Sequence, residues 1–385
     1  MVYFYQVLMI VLFLSSSIFA QQDCQGDRYI QDIFDVEVQY GIEYGENVNE
    51  EFLFGTEYDQ TLYMDVYEPV GDTLDERPLI FFMFGGSFIG GSRDSGNMVA
   101  LCNSYASKGY VAVAIDYRLT QNLIFEATSQ KAYEAVIKGI HDLKAAIRYF
   151  RMNYEQSNDF RIDPERIFVG GVSAGAIASL NAVYINTESE ALSLVSQDFL
   201  DNVGGIEGLS GNPGYDSSVH GIVNFCGAIG EYDWIEEGDV PIVSMHGDQD
   251  GTVPYSDNSV TLFGLDVQVY GSHIINEVMN DLGNYSILHT YVGGGHVPFS
   301  PNDMEFEFDF TSQFLYEIVC SSPDYSLGDV NSDSVINILD VILLVNFIIE
   351  VNSPTENQFL ASDLNEDNVL NVLDVINLVN SILGS

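Results

Sequence analysis

The segment with the clearest chemical capacity is Gly171-Val172-Ser173-Ala174-Gly175. It lies between the apolar run Ile167-Phe168-Val169 and a helical stretch rich in small residues. Gly-x-Ser-x-Gly at such a junction makes a tight turn that lifts a serine hydroxyl above a sheet edge, with helix N-terminal amides behind it to meet an oxyanion. A serine attacks only when a base takes its proton and an acid orients that base. Asp250 fits the acid position in His246-Gly-x-x-Asp250-x-x-Val253-Pro254, a loop that follows an apolar run. His296 follows Gly293-Gly294-Gly295 and a second such run, which suits the base. Asp248 reads as a loop-stabilising side chain and His246 as structural or as support for the acid. His141, His220, His273 and His289 occupy ordinary helix or strand settings and read as structural or solvent-facing.

The oxyanion formed on attack needs two backbone donors. Ala174 N–H, just after the serine, supplies one. Phe84-Gly85-Gly86-Ser87-Phe88-Ile89-Gly90-Gly91-Ser92 follows an apolar run, and its glycines let backbone approach a substrate. Gly85, Gly86 and Ser87 are therefore the candidates for the other donor. Phe84, Phe88, Trp234, Tyr255 and Phe299 cluster around these motifs in sequence. They read either as a stacking subsite for an aromatic or polymeric ester, or as core packing or a lid.

These side chains must be carried by regular elements. Residues 36–41, 61–69, 78–84, 109–117, 166–171, 221–227, 241–246 and 286–292 are short β-branched or aromatic runs, and most are separated by helical spacing or turn residues. The alternation predicts an α/β domain with a mostly parallel sheet. Helical periodicity is clearest over 130–156, where Ala132, Ala135, Val136, Ile140, Leu143, Ile147 and Phe150 recur at three- and four-residue steps. A second helix is expected over 303–319. Ser321-Ser322-Pro323-Asp324 then breaks the pattern, and we place a domain boundary there.

The tail beyond it contains a repeat. Asp329-Val-Asn331-Ser-Asp333-Ser-Val335-Ile-Asn337-Ile-Leu-Asp340 returns 34 residues later as Asp363-Leu-Asn365-Glu-Asp367-Asn-Val369-Leu-Asn371-Val-Leu-Asp374. Carboxylates and amides at positions 1, 3, 5, 9 and 12, with the position-7 carbonyls of Val335 and Val369, make an oxygen cage for calcium. Each copy runs into an apolar helix whose stripe (Val341, Leu344, Val345, Ile348; Val375, Leu378, Val379, Ile382) reads as a small core.

The 385 residues include 12 basic and 57 acidic side chains, a formal charge of −45, and no Lys or Arg follows Arg166. Such a surface repels phosphate backbones and anionic lipid, which argues against nucleic-acid or electrostatic membrane binding. The run Met1 to Leu14 followed by Ser15-Ser16-Ser17-Ile18-Phe19-Ala20 reads as an export signal cleaved after Ala20, and it falls short of a membrane span. In a secreted or surface-attached protein the four cysteines permit two disulfides in any of three pairings, with Cys24–Cys320 weakly favoured because these two flank the large domain. Cys226 reads equally as a buried inert thiol.

Phe84 to Ser92, Ile115-Asp116-Tyr117-Arg118-Leu119, Asp142 to Arg151 and Ile162-Asp163-Pro164-Glu165-Arg166-Ile167 leading into Gly171 to Gly175 together resemble the α/β-hydrolase carboxylesterases with a His-Gly-Gly-Gly oxyanion loop. The resemblance spans about residues 55–320, with Phe84 in place of the His and Ser87 in place of the third Gly. It implies an α/β-hydrolase fold with a mostly parallel eight-stranded sheet, and a Ser173, Asp250, His296 triad that forms an acyl-enzyme without a cofactor. The tail resembles a dockerin, a small all-α module with two EF-hand-like calcium loops, which implies structural calcium and a cohesin-like partner. The expected organisation is a signal peptide over 1–20, a catalytic domain over 21–322 and a dockerin-like domain over 325–385. The expected activity is hydrolysis of esters attached to polymers, feruloyl or acetyl polysaccharide esters first. The alternatives are an aromatic polyester hydrolase or lipase, a serine peptidase, and a non-enzymatic adhesion or scaffold protein; the intact triad argues against the last.

Overall fold

A computed structural model describes residues 24, 26–51, 55–120, 128–262, 264–300, 303–320, 327–331, 335–349, 351–365 and 369–383. The expected export signal lies outside them. The chain divides into two compact units, Met1–Val319 and Cys320–Ser385.

The larger unit is built on an eight-stranded sheet in the order β1-β2-β4-β3-β5-β6-β8-β11. These strands are β1 (Val36–Glu50), β2 (Glu57–Pro69), β3 (Arg77–Met83), β4 (Val111–Ile115), β5 (Ile162–Val172), β6 (Ile222–Phe225), β8 (Ile242–Gly247) and β11 (Ser286–Tyr291). All eight correspond to the runs read as strands from the sequence. β1–β2 and β2–β4 pair antiparallel, and every pairing from β4 to β11 is parallel. β3, β4, β6 and β8 are buried along their whole length, as expected for strands covered on both faces. Because these strands run the same way, the segments leaving their carboxyl ends meet along one edge.

The helices of this unit among the described residues are α1 (Gly96–Ser107), α2 (Ser129–Gln156), α3 (Ala174–Tyr184), α4 (Glu188–Leu194), α5 (Gln197–Val203), α6 (Ser272–Asp281) and α7 (Glu305–Val319). The Thr128 side chain caps α2 by accepting from Lys131 N–H, and the helix buries the predicted stripe from Ala132 to Phe150. A buried ion pair fixes this helix to the turn after β4. Asp142 on α2 accepts from both the backbone N–H and the guanidinium of Arg118, and from the Ser210 hydroxyl.

A small antiparallel sheet, β7-β10-β9, was not anticipated. It comprises β7 (Ala228–Ile229), β9 (Asp257–Leu262) and β10 (Leu265–Gly271). Val260 and Leu262, then Leu265, Val267 and Val269 alternate around Gly264, which has φ +80°, so the hairpin signal was present in the sequence.

Cys24 and Cys320 are disulfide-bonded, while Cys102 and Cys226 are free and buried. Among the described residues no helix is long and apolar enough to cross a membrane.

The smaller unit contains α8 (Ile338–Ile348), α9 (Glu356–Ser362) and α10 (Val372–Leu383). Its core is Val330, Val341, Leu344, Phe347 and Leu378, with Leu343, Ile348, Leu364, Leu370, Val375 and Val379 packed against it.

Candidate active site

β5 ends at Val172, and Ser173 takes φ 55°, ψ −118° before α3 begins at Ala174. A positive φ in a non-glycine residue is strained, and here the two flanking glycines let the turn close. A Cβ on Gly171 would lie 2.5 Å from the Gly175 carbonyl carbon, and one on Gly175 would lie 2.1 Å from Met83 O and 2.6 Å from Phe84 O. The elbow is thus pressed against the end of β3, and Ser173 N–H donates to Phe225 O across the sheet at 2.9 Å.

His296 Nε2 lies 2.9 Å from Ser173 Oγ, and His296 Nδ1 lies 2.7 Å from Asp250 Oδ2. A carboxylate can only accept, so Nδ1 carries the proton and Nε2 is left to accept from the serine hydroxyl. The acid and histidine loops are held together by backbone contacts. Gly293 N–H donates to Asp248 Oδ1 at 2.7 Å and Gln249 N–H to Gly294 O at 2.9 Å. A Cβ on Gly247 would meet Gly294 O and Gly295 O at 2.4 Å. Asp248 therefore does what its position suggested, and His220, which accepts from Ile167 N–H through Nδ1, stays structural.

The Asp250 side chain is fully buried and each of its oxygens is bonded twice. Oδ1 accepts from the N–H groups of Thr252 (2.8 Å) and Val253 (3.0 Å), and Oδ2 from His296 and from His246 Nε2 at 3.1 Å. Burial pushes this carboxyl up, but the bonds from His246 and His296 outweigh it and hold the group well below the usual carboxylate range. Cys226, whose sulfur lies within 4.8 Å of the His246 and Asp250 donor atoms, has its thiol pushed up to about 12 by burial and stays protonated.

Gly85 lies directly against the elbow, since a Cβ there would meet Val172 O at 2.9 Å and Ser173 Cβ at 3.1 Å. Gly86, Ser87 and Phe88 all have positive φ, and Ile89 and Gly90 N–H groups close the turn on Gly86 O. Tyr117, which was not among the expected site residues, supports this turn. Its hydroxyl donates to Phe84 O at 2.8 Å, and its ring stacks on Phe84 at 4.3 Å.

The aromatic subsite read from the sequence needs correction. Phe84 and Phe88 are buried, packed against Tyr117 beneath the glycine turn. Trp234 is also buried, over Gly230, where a Cβ would lie 2.7 Å from the indole. Apolar rings beside the sheet edge gain more by joining the core than by facing solvent. Tyr255 and Phe299 are half-buried: Tyr255 stacks on His273 and bonds Thr290, and Phe299 packs on Phe225 and Tyr291.

In the smaller unit, Asp333 and Asp367 lie outside the described residues. Asp340 and Asp374 are fully buried; Asp340 accepts from the N–H groups of Asn331 and Asn337, and Asp374 from that of Asn371. Asn337 and Asn371 cap the N–H groups of Leu339 and Leu373, and donate to the Val335 and Val369 carbonyls. Asp329 and Asp363 are buried as well. Asp374 Oδ1 is buried without a hydrogen-bond partner, in a segment that has no Lys or Arg. A buried carboxylate with an orphaned oxygen, in a segment that carries no Lys or Arg, fits a bound calcium ion.

Residues 64–230 match the BD-FAE family, and residues 327–383 match the dockerin type I domain. The chain joins a BD-FAE, esterase-like α/β-hydrolase domain to a dockerin type I domain. The BD-FAE match includes Ser173 and the Gly85 turn but ends before Asp250 and His296. Similar solved structures are a propionate-bound esterase 2 from Thermogutta terrifontis and a truncated carbohydrate esterase from gut microbiota. The first is 21% identical with TM-score 0.51, covering 72% of this chain and 96% of that one. The second is 18% identical with TM-score 0.52, covering 76% and 99%. Both likenesses establish the α/β-hydrolase fold. Gut esterase 1 of Caenorhabditis briggsae is 31% identical over 117 residues, 30% of this chain, and the match spans about a fifth (19%) of that relative's length.

Proposed function

We propose that this chain is an exported serine carboxylic ester hydrolase, with a catalytic domain over residues 21–322 and a calcium-holding dockerin over 325–385. The observation that carries the reading is His296, which bridges Ser173 Oγ and Asp250 Oδ2 above a strained elbow. Ser173 Oγ attacks the ester carbonyl carbon while His296 Nε2 takes its proton. The resulting oxyanion is met by Ala174 N–H and an amide of the Gly85–Ser87 stretch. Collapse expels the alcohol with the proton from His296 and leaves an acyl group on Ser173. Water, deprotonated by the same imidazole, then releases the acid. No step calls for a cofactor.

The dockerin supports a polymer-directed role, since it implies a cohesin partner outside the cell. Calcium there would be held by Asp329, Asn331, Asp333, Asn337, Asp340 and the Val335 carbonyl, and by their counterparts Asp363, Asn365, Asp367, Asn371, Asp374 and Val369. It would supply the charge that its buried carboxylates need. Feruloyl or acetyl esters on polysaccharide are the substrates that suit this architecture, and a carbohydrate esterase is among the similar structures. With Phe84, Phe88 and Trp234 buried, Tyr255 and Phe299 are what remains, of the five aromatic residues read from the sequence, for an aromatic polyester to stack on.

Replacing Ser173 by Ala deletes one hydroxyl and should lower kcat by about 10⁴- to 10⁶-fold without changing thermal unfolding. The assay is hydrolysis of p-nitrophenyl acetate, methyl ferulate and acetylated xylan in parallel. Comparable turnover by the wild type and Ser173→Ala would end the serine mechanism, and activity on the p-nitrophenyl ester alone would end the polysaccharide assignment.

A further inference from the structure

We infer that His246 is a positioning residue for the acid of this site, holding the same Asp250 oxygen that receives His296. The inference rests on the ester-hydrolase reading above. His246 ends up fully buried near the carboxyl end of β8. Its Nε2 faces Asp250 Oδ2 and Val253 O, each at 3.1 Å, and both are acceptors, so the ring proton is on Nε2. Nδ1, 2.7 Å from Ser272 Oγ, therefore accepts from that hydroxyl. Ser272 Oγ in turn accepts from Asn224 Nδ2 at 2.9 Å, and Asn224 Oδ1 is held by Gly227 N–H at 2.8 Å. A chain of directed bonds through β6 and α6 thus fixes the tautomer that donates to Asp250.

The titratable side chains near the ring, among the described residues, include Asp250, His296 across the shared Oδ2, the protonated Cys226 and Tyr255, whose ring lies edge-on at 5.7 Å. The carboxylate of Asp250 is the charge the ring faces. A buried imidazole N–H needs an acceptor whatever its role, and Val253 O alone would satisfy it; here the proton is also directed at the oxygen shared with the base. Here the second donor limits rotation of the carboxylate and tempers the basicity of Oδ2 toward His296.

The test is the pH profile of p-nitrophenyl acetate hydrolysis by the full chain, run for wild type, Ser173→Ala, His246→Phe, His246→Gln and Ser272→Ala. His246→Phe should lower kcat about 10- to 100-fold with little change in KM, as a slightly misplaced catalytic group does. With its competing donor gone, Oδ2 should bind the His296 proton more strongly, moving the acidic limb of kcat/KM to higher pH. His246→Gln, whose amide can donate from nearly the same place, should recover part of both. Ser272→Ala frees the other tautomer and should move kcat and the limb in the same direction by less, so it carries the test if His246→Phe does not fold. A folded His246→Phe or Ser272→Ala with wild-type kcat and an unmoved limb overturns the inference while the loss in Ser173→Ala keeps the underlying reading. If Ser173→Ala is as active as wild type, the underlying reading falls and takes this one with it.

Discussion

Replacing Tyr117 by Phe isolates the support beneath the proposed oxyanion turn. The tyrosine is buried, its phenol is pushed up by that burial and stays a neutral donor, and it donates to Phe84 O immediately before Gly85. Phenylalanine retains the ring, the 4.3 Å stack on Phe84 and the edge contact with Phe88, so no cavity larger than the hydroxyl forms. What is lost is one hydrogen bond, with the Phe84 carbonyl left buried, at a cost of about 1–3 kcal/mol. At roughly 2–4 °C per kcal/mol for domains near this size, the melting temperature should drop on the order of 2–12 °C. Removing an oxyanion donor outright costs about 10²- to 10³-fold in kcat, so a turn that is loosened but not deleted should lose about tenfold. KM and the pH profile should hold, because Tyr117 makes no hydrogen bond to Ser173, His296 or Asp250. Steady-state kinetics and differential scanning calorimetry on the same preparations decide it. A lowered melting temperature with wild-type kcat would refute the link between this hydrogen bond and the oxyanion turn, and an unchanged melting temperature would refute the energetics.

His141 is fully buried among Arg118, Lys144 and Arg148, and burial first, then these cations, hold its pKa down to about 3 despite its bond to Gly205 O. An unfolded histidine titrates near about 6.5, so between these values the unfolded chain binds a proton that the folded one does not, and stability falls as pH drops through that window. The stability of His141→Gln relative to wild type should therefore improve from pH 7 to pH 4 in thermal melts; a constant difference would rule this account out. Chelation with EDTA should unfold the 327–383 unit, because its buried carboxylates lose their counter-charge, while turnover of a soluble p-nitrophenyl ester persists. Calcium at about a hundred times its Kd should restore about 2.7 kcal/mol to that unit, and Asp374→Asn should bind calcium more weakly by titration calorimetry. Loss of ester turnover on chelation, reversed by calcium, would place a cation requirement in the larger unit.

Local sequence carried much of this protein. The eight strands of the main sheet are runs whose composition suits burial on one or both faces, and α2 and the dockerin helices show their buried stripes as helical spacing. The elbow could be read because Gly171 and Gly175 are demanded by a turn only five residues long. The loop repeat could be read because its ligands sit at fixed short offsets. Tertiary structure alone decided the rest. Whether Phe84, Phe88 and Trp234 face a cleft or the core depends on where Tyr117 and Gly230 pack against them, and burial is a property of what covers a side chain, not of its own type. The same holds for the site's hydrogen bonds. Asp250 and His296 are 46 residues apart, and His246 meets Ser272, itself held by Asn224, from other elements. Residue type announces that a histidine or a carboxylate can donate or accept, but which proton it holds is set by acceptors that folding brings to it from far along the chain.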